Sequence, residues 1–144
     1  GKPGRSATKY LSGISKSDYS GQRILLVEDN ELNREIAKEI IEMTGAIVDT
    51  AENGKEAVEK VMDMSDDYYR LVFMDIQMPV MNGYEAAAAI RGLDDKKKAS
   101  IPIVAMTANA FAEDIMLAKN AGMNEHMAKP LDINKLNETL RKWL

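Results

Sequence analysis

The sequence predicts an α/β fold, with a five-stranded parallel sheet covered by helices on both faces. Short continuous apolar runs, such as those at 24–27, 71–74 and 103–106, are typical of strands buried on both faces. Stretches with apolar residues at helical spacing separate these runs, so strand and helix alternate along the chain, as in parallel sheets. The length of 144 residues is that of one domain.

The first strand and helix are predicted near residue 23, where the apolar pattern begins. Ile24–Val27 is a run of four apolar residues, which indicates a buried strand. Apolar residues then recur every three or four positions and predict a helix, and Gly45 stands where a glycine commonly follows a helix. The apolar residues of this repeat are Leu32, Ile36, Ile40 and Met43.

The same alternation continues to the end of the chain. Turn residues separate the segments, notably at Asn53-Gly54, Pro79 and Gly122, and Lys96–Lys98 predicts a solvated loop. The remaining elements are, in order, a strand at 46–48, a helix with Ala57, Val58, Val61 and Met62, a strand at 71–74, a helix at about 83–91, a strand at 103–106, a helix at about 110–120, a strand at 125–128, and a helix with Ile133, Leu136, Leu140 and Trp143.

Residues 1–20 differ in composition from the rest of the chain. They are rich in Ser, Gly and Lys, and their few apolar residues show no sustained period, which indicates a linker or tail. We therefore expect a tail at 1–20 and one folded domain at 21–144. Because the chain begins with Gly rather than Met, we expect it to be a piece of a longer protein.

Composition excludes several classes of function. The net charge is −4, so no basic surface for nucleic acid or acidic lipid is expected. The absence of cysteine excludes thiolate nucleophiles and cysteine-ligated metals, and the single histidine, His126, excludes a two-histidine metal site. No apolar run approaches the roughly 20 residues that cross a bilayer. We expect a cytoplasmic domain, without nucleic acid and without direct membrane contact, whose parent protein could still be membrane-anchored.

Polar residues stand at the predicted carboxyl ends of four strands. Glu28 and Asp29 follow the first strand, Asp75 the third, Thr107 the fourth, and Lys129 the fifth. Ligands of open parallel sheets bind outside these ends, so the five side chains are expected at one edge. Three carboxylates repel one another unless a cation lies among them, and Mg²⁺ binds carboxylates, phosphate oxygens and water. We therefore predict a Mg²⁺ site, for which Mn²⁺ is an alternative ion.

These residue types together favour phosphoryl transfer. Lys129 supplies positive charge for phosphate oxygens and Thr107 supplies a hydroxyl donor. A carboxylate such as Asp75 can act as the nucleophile and form an acyl phosphate. Each residue also has a structural alternative: the polar residues after the first strand could cap the next helix, Thr107 could be a turn residue, and Lys129 a solvated loop lysine. Their coincidence at four strand ends favours the functional interpretation.

Four segments resemble the receiver domain of two-component response regulators, and the resemblance covers Arg23 to Leu144. The acidic pair lies in LVEDNELNREIA, Asp75 in FMDIQMPVMNG, Thr107 in PIVAMTANA, and Lys129 in AGMNEHMAKP. Their order and intervals fit that family's layout, and the segments are most similar to receivers fused to hybrid sensor histidine kinases. The resemblance implies a doubly wound, flavodoxin-like sheet with strand order 2-1-3-4-5 and helices on both faces.

The resemblance also implies how the acceptor and the metal are held. Asp75 is implied to be the phosphoacceptor and one of the metal ligands. Asp29 is implied to bind Mg²⁺ directly and Glu28 largely through water, while the backbone carbonyl of Gln77 completes the protein's share of ligands.

The contacts of the phosphoryl group and the switch follow from the same resemblance. Thr107 and Lys129 are implied to contact the phosphoryl oxygens, and Lys129-Pro130 to be joined by a cis peptide bond. The switch pair corresponds to Thr107 and His126. Since the family often has Tyr or Phe where this chain has His126, the coupling between the two switch residues departs from the common pattern.

The sequence thus predicts a Mg²⁺-dependent phosphoacceptor of a phosphorelay rather than a classical enzyme. Its expected partners are a histidine kinase domain and a histidine phosphotransfer protein: it would accept a phosphoryl group from phosphohistidine onto Asp75 and could pass it to another histidine. One alternative is a phosphatase with an aspartyl-phosphate intermediate, which usually needs a second Asp where this chain has Gln77, and a substrate cap. Another is a receiver-like interaction module without phosphorylation.

A protein donor must approach Asp75 in line, so its helix is expected to lie over the strand ends. The surface expected to meet that helix consists of the start of the first helix and the loop after the fifth strand. An alternative for Ile36 is that it faces the core. The residues predicted to contact the donor are Asn33, Ile36, Pro130 and Leu131.

Overall fold

The structure is a computed structural model that describes residues 19–108 and 111–144. Most of the predicted tail, residues 1–18, lies outside these residues, as do residues 109–110 at the predicted start of the helix at 110–120. Tyr19, near the end of the predicted tail, is buried, and its carbonyl accepts a hydrogen bond from the Gln22 N–H. The boundary of the folded unit near residue 21 therefore stays a prediction.

Five strands form one parallel sheet, as the apolar runs predict. The strands are β1 (Arg23–Val27), β2 (Ile47–Ala51), β3 (Leu71–Asp75), β4 (Ile103–Thr107) and β5 (Glu125–Ala128). The sheet has the order β2-β1-β3-β4-β5, so β1 lies between β2 and β3, and β2 and β5 are the edge strands. The predicted α/β, doubly wound architecture is confirmed.

Six helices connect and flank these strands within the described residues. The helices are α1 (Glu31–Glu42), α2 (Gly54–Asp63), α3 (Gly83–Arg91), α4 (Lys96–Ala99), α5 (Ala112–Asn120) and α6 (Ile133–Trp143). A side-chain oxygen of Asn or Asp accepts a backbone N–H at the start of each of them except α5, which explains where these helices begin. None of the described helices is long and apolar enough to span a membrane.

Alternate residues of each strand face opposite sides of the sheet and form two cores. Leu25 and Val27 of β1 pack with buried residues of α2, α3 and α5. Ile24 and Leu26 pack on the other side with buried residues of α1 and α6. Because both faces are covered, each of the central strands β1, β3 and β4 contains a run of four buried apolar residues. The edge strands β2 and β5 also carry polar residues, such as the exposed His126.

Helix α1 forms where the sequence predicts it, but it buries a different face. Ala37 and Ile41 contact the core, whereas Leu32 is 68% exposed and Ile36 is 47% exposed. The alternative in which Ile36 faces the core is therefore wrong. Residues four positions apart lie on the same side of a helix, so the side that buries Ala37 and Ile41 leaves Leu32 and Ile36 on an adjoining, more exposed side.

The Lys96–Lys98 run, predicted as a solvated loop, is instead the first part of α4. Asp95 caps this single turn by accepting the N–H groups of Lys97 and Lys98, and Ala99 is buried beneath it. A turn of four residues is too short to show a helical repeat, which is why the sequence pattern does not reveal it.

Candidate functional site

Three carboxylates meet at the carboxyl edge of the sheet. Glu28 and Asp29 follow β1, and Asp75 is the last residue of β3, the neighbouring strand. One oxygen from each of the three carboxylates lies within 4.8 Å of the other two. Glu28 and Asp75 are buried, while Asp29 is exposed. Hard oxygen donors at this spacing fit a divalent cation such as Mg²⁺.

Lys129 joins this cluster from the other end of the chain. Its Nζ lies 2.8 Å from Glu28 Oε1 and 3.0 Å from Asp75 Oδ1, so one ammonium bridges two buried acids. Burial disfavours the charged amine, but these two acceptors outweigh it and raise the pKa of Lys129. The cis peptide bond between Lys129 and Pro130, implied by the resemblance, is present.

The two buried acids, Glu28 and Asp75, have pKa values that are shifted in opposite directions. Burial, together with the negative charge of Glu28, raises the pKa of Asp75 to about 7, although Lys129 opposes this shift. Burial also acts on Glu28, but the hydrogen bonds from Lys129 and from the Asn30 N–H outweigh it and lower the pKa of Glu28. Without a bound cation, Asp75 is therefore the weaker acid of the two.

Helix capping and the acidic cluster coexist after β1. Asn30 is the N-cap of α1, because its side-chain oxygen accepts the N–H of Asn33. The Glu28 carboxylate lines the cleft and accepts a hydrogen bond from the Asn30 N–H over 3.1 Å. The two interpretations of this segment thus apply to different residues: Asn30 caps, while Glu28 and Asp29 face the cleft.

The cleft over the acids has a volume of about 800 Å³. Thr107, the last residue of β4, is buried in its floor, and Gln77 lines it as an exposed residue of the loop after β3. Three further lining residues are not marked by the sequence pattern, although they lie in the first two turns of the helices that follow β3 and β4, where the rule about strand ends could have found them. They are Tyr84, Asp114 and Leu117.

A second groove of about 300 Å³ opens beside the first one. It contains all four residues predicted to contact a donor helix, and it shares Glu28 and Lys129 with the cleft. His126 lies elsewhere: it is an exposed residue of β5, paired in register with Ala105. The four groove residues are Asn33, Ile36, Pro130 and Leu131.

Comparison with known proteins shows what this arrangement resembles. The sequence model of the response regulator receiver domain family matches residues 24–141. The hybrid signal transduction histidine kinase L of Dictyostelium discoideum is 36% identical over 124 residues, which are 84% of this chain but 7% of that protein. The chain therefore spans a small part of this relative's length.

Two solved structures are similar over nearly the whole described chain. The receiver domain of the sensor histidine kinase PA1611 from Pseudomonas aeruginosa PAO1, with a magnesium ion coordinated in its active site cleft, gives a TM-score of 0.77 at 35% identity and covers 86% of this chain and 98% of that one. The second is a chain of a co-crystal structure from Saccharomyces cerevisiae, which contains the histidine phosphotransfer signaling protein Ypd1 and the receiver domain of its downstream response regulator Ssk1. It gives a TM-score of 0.78 at 30% identity, and the match covers 87% of this chain and 90% of that one.

The family model covers most of the chain, and the strand order and the acidic cluster are those of the predicted fold and site. On these grounds the chain belongs to the response regulator receiver domain family of two-component systems.

Proposed function

We propose that the chain accepts a phosphoryl group from a phosphohistidine onto the Asp75 carboxylate, in a Mg²⁺-dependent step of a phosphorelay. The observation that carries the proposal is the position of Asp75, buried at the end of β3 within ion-pair distance of Lys129 and beside two further acids. A carboxylate in this setting can attack phosphorus and form an acyl phosphate.

The metal would be held by the acids of the cleft. Asp29 is exposed, and among the residues that the structure describes its carboxylate has no hydrogen-bond partner, which favours direct binding of the ion. Both oxygens of Glu28 already accept hydrogen bonds, which favours contact through water. Asp75 and the Gln77 carbonyl would complete the protein's ligands. When bound, Mg²⁺ would neutralise charge on the phosphoryl oxygens.

The remaining residues would stabilise the transferred group. As an Asp75 oxygen bonds to phosphorus, the P–N bond of the donor breaks and the imidazole leaves with the electron pair. The Lys129 ammonium, now paired with Asp75, would turn its charge to the phosphoryl oxygens, and the Thr107 hydroxyl would donate a hydrogen bond to them. The other residues form no covalent bond in this step. They would position the phosphoryl group and neutralise its negative charge.

The competing phosphatase interpretation lacks its acid–base residue. That reaction needs a second carboxyl group two residues after the nucleophile to protonate a leaving alcohol and activate water. Here Gln77 occupies the position, and an amide cannot exchange that proton. The phosphoacceptor function is therefore favoured.

Phosphorylation by acetyl phosphate provides the direct test. We expect incorporation of one hydroxylamine-labile phosphoryl group in the presence of Mg²⁺ and almost none with excess chelator, since no metal ion then neutralises charge on the phosphoryl oxygens. Borohydride reduction followed by mass spectrometry should place the label on Asp75. Labelling at another residue, or labelling that ignores Mg²⁺, would contradict the proposal.

The proposed protein donor is a helix that carries the phosphohistidine, supplied by a histidine kinase domain or a histidine phosphotransfer protein. The groove beside Lys129 supports this choice because most of its lining residues are apolar and it shares Glu28 and Lys129 with the cleft. The exposed apolar residues Leu32 and Ile36 extend the same surface along α1. A similar receiver has been crystallised with a histidine phosphotransfer protein. We propose that this exchange takes place in the cytoplasm and that residues 21–144 form the receiver unit.

Leu131→Asp is expected to impair transfer from the protein donor but not from acetyl phosphate. The charge would lose its hydration in an apolar contact, which is expected to cost the complex about tenfold or more in affinity. The measurement compares transfer rates from a phosphorylated histidine phosphotransfer protein and from acetyl phosphate.

Met62→Asp is the matched control, since Met62 is an exposed apolar residue near the far end of α2. It should leave both rates unchanged. An equal loss with both donors in Leu131→Asp would place the defect in the cleft or the fold and reject the groove as the docking surface.

A further inference from the structure

Arg34 is a cation that the proposed reaction does not use. It lies one turn into α1, and its side chain is only 12% exposed although it carries a full charge. Helical side chains lean towards the N-terminus of their helix, so Arg34 reaches back to the segment where β1 ends. A buried guanidinium must find acceptors there.

The strongest of its contacts is to the main chain. Arg34 Nη1 donates to the Glu28 carbonyl oxygen over 2.9 Å. Its Nη2 lies 3.6 Å from Glu52 Oε1, but the Glu52 side chain is 65% exposed, so solvent screens this ion pair. The interaction that holds Arg34 in place is therefore the one to the Glu28 carbonyl.

This carbonyl belongs to the peptide unit that leads into Asp29. On its other side, the main chain of Glu28 is fixed to the sheet, because its N–H donates to the Ala51 carbonyl over 3.0 Å. Since a peptide unit is planar, an anchor on the Glu28 oxygen also fixes the N and Cα of Asp29. Within the described residues, the Asp29 carboxylate itself has no hydrogen bond or ion pair that could orient it.

We propose that Arg34 is a positioning residue for the metal site: its hydrogen bond to the Glu28 carbonyl holds the peptide unit that aims the Asp29 carboxylate into the cleft. The inference rests on the proposed Mg²⁺-dependent function. It assigns to Arg34 a role in cation affinity although Arg34 does not line the cleft.

The sign of the effect separates positioning from simple electrostatics. A positive charge near the acids repels a bound cation, so removing it would tighten Mg²⁺ binding if charge were the whole effect. Loss of the carbonyl anchor would instead let Asp29 swing away and weaken binding. A purely structural role would lower the melting temperature and leave the Mg²⁺ dissociation constant unchanged.

The test is calorimetric titration of the purified chain with MgCl₂, together with thermal melting. R34M is expected to raise the Mg²⁺ Kd about tenfold, the usual loss when a residue that orients a metal ligand is removed. R34K keeps the charge and one donor and should recover part of the affinity. E52Q removes only the screened ion pair and should bind Mg²⁺ like the wild type.

An R34M Kd equal to or lower than that of the wild type would overturn the inference. If R34M does not fold, R34Q decides: its shorter, neutral side chain should also raise the Kd, and an unchanged or lower Kd would count against the anchor. Wild-type protein that binds no Mg²⁺ at all would contradict the proposed function itself, so the two failures are distinguishable.

Discussion

Asp75→Asn is expected to abolish phosphorylation while leaving the fold intact. An amide oxygen in the same place cannot act as the nucleophile that forms an acyl phosphate, and the isosteric side chain still fits the buried end of β3. The measurement is incorporation of hydroxylamine-labile phosphate from acetyl phosphate, with Asp66→Asn, an exposed acid before β3, as the control of equal charge change. Phosphorylation of Asp75→Asn at the wild-type level would refute the assignment.

The difference in stability between the wild type and Asp75→Asn should depend on pH in a defined direction. The pKa of Asp75 is raised to about 7 in the folded chain from an ordinary value of 3.8, chiefly by burial. Between these values the folded state binds more protons than the unfolded state, so the free energy of unfolding falls as pH rises from about 4 to about 7. Asn has no proton to lose and escapes this destabilisation.

Without Mg²⁺, Asp75→Asn should therefore be more stable than the wild type at about pH 8, by a few kcal/mol, since each pKa unit of the shift corresponds to about 1.4 kcal/mol. The advantage should shrink towards about pH 4, where both side chains are neutral. Urea unfolding at the two pH values measures it. A difference in stability that is the same at both would contradict the raised pKa.

Gly83→Ala should damage both the fold and the site. Gly83 begins α3, and its N–H donates to the Ile76 carbonyl over 2.8 Å. A Cβ at this position would lie far inside contact distance of the Asp75 carbonyl oxygen and would also press on the Ile76 backbone. Because both neighbours are main chain, they can yield only by moving Asp75 or the start of α3. We expect a loss of about 2–3 kcal/mol in unfolding free energy.

The same displacement should reduce phosphorylation from acetyl phosphate. Gly92→Ala is the matched control at the other end of α3: its Cβ would meet only atoms 3.6 Å away, and its φ of −88° suits any residue. That variant should be neutral or more stable by about 0.5 kcal/mol, since Ala restricts the unfolded chain. Equal behaviour of the two variants would show that the close approach at Gly83 is not what requires glycine.

The sequence by itself determined the order of strands and helices and the residues of the acidic cluster. Buried parallel strands are local apolar runs, so Ile24–Val27 and Leu71–Met74 are visible without their neighbours. The acids and Lys129 could be found because the carboxyl ends of parallel strands meet at one edge, whatever the details of packing. The family resemblance then implied a role for each of them and the sheet order.

Tertiary structure alone decided the features that depend on packing between distant segments. The apolar repeat of α1 predicted a helix, but only the packing against the sheet decided that Ala37 and Ile41 are its buried residues. Leu32 and Ile36 are exposed instead, and Ile36 lines the groove beside Lys129. The bridge from Lys129 to two acids joins residues up to 101 positions apart, and burial rather than residue type sets the pKa of Asp75. No sequence pattern marks Arg34, because a main-chain carbonyl is an acceptor that every residue carries and only the fold selects which one it meets.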